Sequence, residues 1–150
     1  MNDLINKLIA ATAGNPDLVS WSETNLGERF TLFVGVDENN PPKAEHYPLI
    51  AITEIRITGG GTGQRVTYEI DMAAGIEDET VDYLEDKQAY IYRGIGRVDA
   101  FRARAFSALY LSNFGKISIK EGAAGQSAFH PLYISFMTVT IEYINHIRRT

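Results

Sequence analysis

Cysteine is absent from this chain, so it has no disulfide framework, thiolate nucleophile or zinc-thiolate centre, and its redox compartment is left open. Long apolar runs are missing too. Nothing approaches the roughly 20 residues of a membrane span, and the opening MNDLINKLIAATAGNP has neither the basic start nor the unbroken apolar centre of a signal peptide. The chain therefore reads as soluble and unprocessed, with no membrane partner. Positive charge is in short supply: 14 Lys and Arg stand against 19 Asp and Glu, a formal net charge of -5. That balance removes the uniform positive field a sequence-independent nucleic-acid binder needs to neutralise phosphates, and excludes duplex DNA as a tight ligand. Histidine is scarce, and His46, His130 and His146 form no HxxxH or HxH pair that would set two imidazoles on one metal. The expectation is surface histidines, with no metal and no cofactor.

The 150 residues that remain to be organised suit one domain, 1–150, able to bury roughly two thirds of the surface of its unfolded chain. In DLINKLIAATAG, Leu4, Ile5, Leu8 and Ile9 share a helical stripe, Asn2 or Asp3 can cap it, and Gly14, Asn15 and Pro16 end it. RFTLFVGV, Arg29 to Val36, has the β-branched and aromatic content of a strand, and Pro41, Pro42 and Pro48 mark an exposed loop after it. A strand follows from Leu49 to Thr58. Arg65 to Ile76 alternates cleanly, with Val66, Tyr68, Ile70, Met72 and Ala74 on one face and Arg65, Thr67, Glu69 and Asp71 on the other. GGGTGQ joins these two as an antiparallel hairpin.

Beyond an acidic stretch and a short strand QAYIY, the segment RVDAFRARAFSALYL takes helical period, with Val98, Phe101, Ala105, Ala108 and Leu109 as its apolar face. Its arginines fall largely on the other sides, and it stops near Asn113 and Gly115. KISIK reads as a short strand with Ile117 and Ile119 on one face, and EGAAGQSAFHP as a Gly-rich loop. Pro131 to Ile144 closes the chain as a long strand. Tyr133, Met137, Val139, Ile141 and Tyr143 lie on one face and Leu132, Ile134 and Phe136 on the other, so its first half requires cover on both sides. The expectation is an α+β fold: a mostly antiparallel sheet flanked by a short N-terminal helix and one long helix.

Catalytic patterns fail one by one. GGGTGQ lacks the lysine and hydroxyl of a phosphate loop, has Gln64 where GxGxxG needs its third glycine, and leads into a strand rather than a helix. Its glycines read as a mobile hairpin tip. No G-x-S-x-G elbow is present. Asp71 and the carboxylates after it would need a concave, partly dry site to act as an acid and base pair, and their surroundings read as wet. GIEDETVDYLEDK, from Gly75 to Lys87, gathers Glu77, Asp78, Glu79, Asp82, Glu85 and Asp86 without the central glycine or the spacing of a calcium loop. In a monomer this is a solvated loop. Converging copies would make it a strongly negative rim that polyanions slide past.

The order of a short N-terminal helix, a proline-bearing loop into HYPLIAITEI, the strand RVTYEIDMAAGI, an extended loop, the helix RVDAFRARAFSALY and the strand HPLYISFMTVTIEY resembles the tail terminator (tail completion) proteins of long-tailed bacteriophages. The likeness covers nearly the whole chain and rests on architecture, not on a diagnostic motif. It implies a non-enzymatic virion protein of tail and neck, assembled in the host cytoplasm. Its homo-oligomer, a hexameric ring, would cap the head-proximal end of the tail tube, stop its polymerisation and give a neck or head-completion protein a docking face. Partners would be the tail tube protein, the neck protein and DNA that passes through the lumen without specific binding. Under that implication Glu77, Asp78, Glu79, Asp82, Glu85 and Asp86 would line the lumen or rim. Arg93, Arg97, Arg102 and Arg104 would pair across the subunit interface, against the plainer reading of arginines solvated or lying over their own core. The Gly-rich stretches Gly59 to Gly63 and Gly122 to Gln126 are not required by that family. Another ring component, a connector or tail-tube subunit, would favour a β-sandwich without the long helix, and a small α+β enzyme is the third reading.

Overall fold

The computed structural model describes residues 2–59, 65–112 and 116–144. Within them the chain runs α1 (Asn2–Ala11), α2 (Pro16–Leu26), β1 (Thr31–Val34), β2 (Leu49–Gly59), β3 (Arg65–Glu77), β4 (Val81–Leu84), β5 (Ala89–Tyr92), α3 (Gly94–Leu111), β6 (Lys116–Phe129) and β7 (Leu132–Ile144). Five strands form one sheet in the order β1-β2-β3-β7-β6, and β4 and β5 form a separate antiparallel pair. Only the short β1 runs parallel to its neighbour. The fold is α+β.

Alternation decides the faces of the central strands. Tyr68, Ile70, Met72, Ala74 and Ile76 of β3 are buried, as are Tyr133, Met137, Val139 and Ile141 of β7, and the two rows lie in register side by side. Ile50 and Ile52 of β2 continue the layer. Against it α3 sets Val98, Phe101, Ala105 and Leu109, and α1 sets Leu4 and Leu8, so all three elements share one core. Trp21 of α2 stacks on Phe101 at 5.9 Å, and Phe30 meets the same ring at 5.8 Å.

The other face of the sheet is only partly covered. At one end the proline-bearing loop, which contains a single 3-10 turn at Ala44–His46, folds back so that Tyr47 lies on Gly75 and His46 packs edge-on against Phe33. A side chain at position 75 would meet the Tyr47 ring at 2.6 Å, so this close approach requires glycine. Further along, Phe136 is 45% exposed. The expectation that β7 is covered on both sides is therefore met at Tyr133 and its row, and not at Phe136.

Several expectations are corrected. Asn15 and Pro16 end α1 but also start a second helix, because the Asn15 side chain accepts hydrogen bonds from the N–H groups of Asp17 and Leu18 at 3.0 and 3.2 Å and Pro16 takes the first turn. α3 begins at Gly94, three residues before the sequence reading placed it. Its Gly94 lies against Tyr133, whose ring a Cβ would meet at 2.3 Å. EGAAGQSAFHP is not a loop: most of it is the second half of β6, paired with β7 from Ala124↔Met137 to Phe129↔Leu132. The register shift between Glu121 and Ala124 absorbs the irregular glycine-bearing stretch. The glycine tip 60–64, the predicted helix stop at 113–115, His146 and the side chains of Ile117, Ile119 and Tyr143 lie outside the described residues.

Candidate functional site

The acidic stretch, expected to be a wet loop, is a built hairpin. β3 ends at Glu77, and the chain then turns on Asp78, which is 5% exposed. The Asp78 N–H donates to the Pro131 carbonyl at 2.8 Å, one carboxylate oxygen accepts from the Thr80 N–H at 2.9 Å, and the other accepts from Arg97 at 2.8 Å. Burial pushes the Asp78 carboxyl up, but Arg97 and Thr80 outweigh it and leave the group below the usual carboxylate range. Arg97 also donates to the Asn25 carbonyl at 2.5 Å, which ties the hairpin root to the end of α2. Asp78 is thus a structural anchor, and its place in the expected rim is corrected. Glu77, Glu79, Glu85 and Asp86 are exposed, and Asp82 is partly exposed and accepts from Arg93 Nε at 2.6 Å.

β4 and β5 pair Val81 with Tyr92 and Tyr83 with Tyr90, so these four side chains share one face of the hairpin. All are exposed, Tyr90 to 69%, and the rings of Tyr83 and Tyr90 lie 4.7 Å apart. The connection is a 3-10 turn, Glu85–Lys87, closed by Gln88 at φ +49°. The sequence reading took this segment for its charge and passed over the alternation Val81, Asp82, Tyr83, which is the signal that would have identified the strand. Tyr92 also meets His130 edge-on at 5.0 Å, and His130 Nδ1 lies 2.9 Å from the hydroxyl of buried Tyr133. Burial first, then Asp78 and Tyr92, hold the Tyr133 hydroxyl above its ordinary pKa.

The four arginines fare differently. Arg93 and Arg97 are engaged at the hairpin root. Arg102, expected on an outward side, is buried to 9% exposure between Asp99 at 3.2 Å and Glu121 of β6. Its charge is matched inside the chain, consistent with the plainer reading of arginines over their own core. Arg104 is exposed, lies over the Trp21 ring at 5.6 Å, and has no ion-pair partner among the described residues. It stands at the lip of a groove of about 490 Å³ between the three helices, floored by Ala10, Ala11, Leu18 and Ala108 and walled by Trp21 and Leu111.

On the uncovered sheet face Arg56 bridges Asp71 through two hydrogen bonds of 2.7 and 3.1 Å, Glu69 at 3.3 Å, and Glu54. Thr138 of β7 donates to Asp71 at 2.9 Å. Arg56 holds the Asp71 carboxyl below its ordinary range against the opposing pull of burial, and Asp71 in turn raises the guanidinium. A carboxylate so firmly ion-paired is a poor proton acceptor. Among the described residues no three His, Asp or Glu side chains are grouped to hold a metal. His46 is engaged locally, its Nδ1 accepting from the Lys43 N–H at 2.9 Å.

No protein-family model matches this chain, and no curated protein matches it significantly. No helix among the described residues is long and apolar enough to cross a membrane.

Proposed function

We propose that this chain is a structural subunit of a phage tail, a tail terminator whose copies close into a ring on the head-proximal end of the tail tube. The ring stops tube polymerisation and presents a face to a neck protein. The observation that carries the reading is the hairpin of β4 and β5: an anchored projection whose face of Val81, Tyr83, Tyr90 and Tyr92 is left exposed among the described residues, Tyr92 alone meeting His130 at its edge. A pair of strands standing alone is marginal in water. Exposed aromatics beside a rigid wall of sheet and helix are the means by which one subunit grips another. The long α3 on one face of the sheet argues against a tail-tube β-sandwich. The function is carried by shape and charge, without catalysis and without a cofactor.

The test is mass measurement in solution and on purified tail tubes, with negative-stain imaging. Closed rings of six copies seated at one tube end, and tubes of uncontrolled length when the protein is withheld, are the expected results. A chain that stays single at high concentration and ignores tail tubes overturns the reading.

A further inference from the structure

We infer that the hairpin of one copy seats its aromatic face in the helical groove of the next, with Arg104 of the receiving copy meeting Glu85 and Asp86 at the hairpin tip. The inference rests on the ring reading and adds to it which two surfaces meet.

Three observations converge on a second copy as the occupant. The first is apolar complementarity. The hairpin offers a strip of aromatic rings, and the groove offers an apolar floor with Trp21 as a wall, within the size range of cavities that take aromatic groups.

The second is charge. Residues 77–93 carry six carboxylates against Lys87 and Arg93, whereas the groove carries Arg104, with Lys7 already paired to Asp3 at 3.7 Å and Asp17 its one acid. Asp78 and Asp82 are already matched by Arg97 and Arg93, which leaves Glu85 and Asp86 exposed at the tip. Arg104 is the complementary cation: held by Trp21 and, among the described residues, unmatched by a carboxylate. Opposite potentials of this kind fix register and orientation.

The third is placement. The hairpin root is tied to the start of α3 and the end of α2, and the groove is lined by the other end of both helices. None of the hairpin's residues lines the groove, and Tyr83, Tyr90 and Tyr92 stay exposed beside their own groove, so the two are separate surfaces of one body. Two different surfaces that complement each other and do not meet within one body join head to tail, and head-to-tail contacts close into rings or run on as filaments.

The absence of cysteine makes the contact directly testable. A chain carrying Tyr90→Cys and Ser107→Cys, both at exposed positions, is oxidised at assembly concentration and run without reductant. A ladder of disulfide-linked multimers is expected, with no dimer from either single variant. A dimer from Tyr90→Cys alone would mean hairpin against hairpin and overturns the inference. Charge reversal is the second arm. Arg104→Glu alone, or Glu85→Lys with Asp86→Lys, is expected to weaken assembly roughly tenfold or more. Mixing the two variants restores it, because each groove then faces a hairpin of opposite sign. Wild-type rings with no cross-link and no response to reversal overturn this interface and leave the ring reading standing. A ladder that never closes keeps the interface and overturns the ring. A wild-type chain that stays single in solution and on tubes overturns both.

Discussion

Asp78 shows how one side chain can change meaning between sequence and structure. In the sequence it is one of six neighbouring acids; in the fold it is buried, with Arg97, Thr80 and Pro131 around it. Asp78→Asn leaves Arg97 without its partner and is expected to lower stability by about 2 to 3 kcal/mol. That is less than a fully buried pair would cost, because Arg97 is partly solvated. At this chain length the melting temperature should fall by roughly 4–12 °C, against a small change for Asp82→Asn. Asp71 and Asp78 both bind protons less readily in the folded chain than in the unfolded one. Their contribution is complete above the ordinary carboxyl pKa of about 4 and drains away as pH falls below it through their lower folded values. Urea midpoints measured from about pH 5 to pH 2 should therefore fall, and fall less steeply in Asp78→Asn. Gly94 is the second decisive residue. Gly94→Ala puts a methyl into the ring of Tyr133, which is 1% exposed and held at its hydroxyl by His130, and should cost about 1–3 kcal/mol by thermal melt despite the better helix propensity of alanine.

At the scale of elements, α2 depends on a local device and β6 on a neighbour. Asn15→Ala removes the acceptor for two N–H groups at the start of α2 and should lower stability by about 1 kcal/mol, read as a shift in melting temperature of roughly 2–4 °C. In β6 the stretch Gly122 to Gly125 has too little side chain to announce a strand, and from Ala124 on the extended form comes from pairing with β7. Gly125 leaves room for the Phe136 ring, which a Cβ there would meet at 2.8 Å. The β4–β5 hairpin pairs only with itself beyond its anchored root, so its amides should exchange faster than those of β3 and β7 in the free chain. Assembly should slow them selectively, which hydrogen exchange with and without rings would read.

For the whole molecule, the proposed ring would leave the exposed acids at the hairpin root for its inside. If Glu85 and Asp86 are taken up by a neighbour's Arg104, Glu77 and Glu79 remain as the carboxylates facing passing DNA. Glu77→Ser with Glu79→Ser should leave ring formation intact and lower the yield of DNA-delivering particles, measured as titre per assembled tail. Unchanged titre would remove the lumen role and leave the capping role untouched. The partly covered sheet face, with Phe136 exposed beside the Arg56 cluster, is a second surface of the same body. It lies apart from the helices that form the groove.

The α+β class, the hairpin of β2 and β3, the long α3 and the buried faces of β3 and β7 are all legible in the sequence alone, because each follows from a period of two or 3.6 along a stretch of chain. Those patterns are local, and they survive into the fold because one face of each element meets a common core. Arg102 and Glu121 are 19 residues apart, as are Arg97 and Asp78, and nothing local in the sequence announces either pairing. β6 became a strand because β7 presented it a row of backbone donors and acceptors, and the acids of residues 77–86 divided into buried anchor, ion-paired flank and free tip once the hairpin had closed. Periodicity along one segment determines which side of an element is apolar. Only the meeting of segments distant in sequence determines which charges are matched and which remain for a partner.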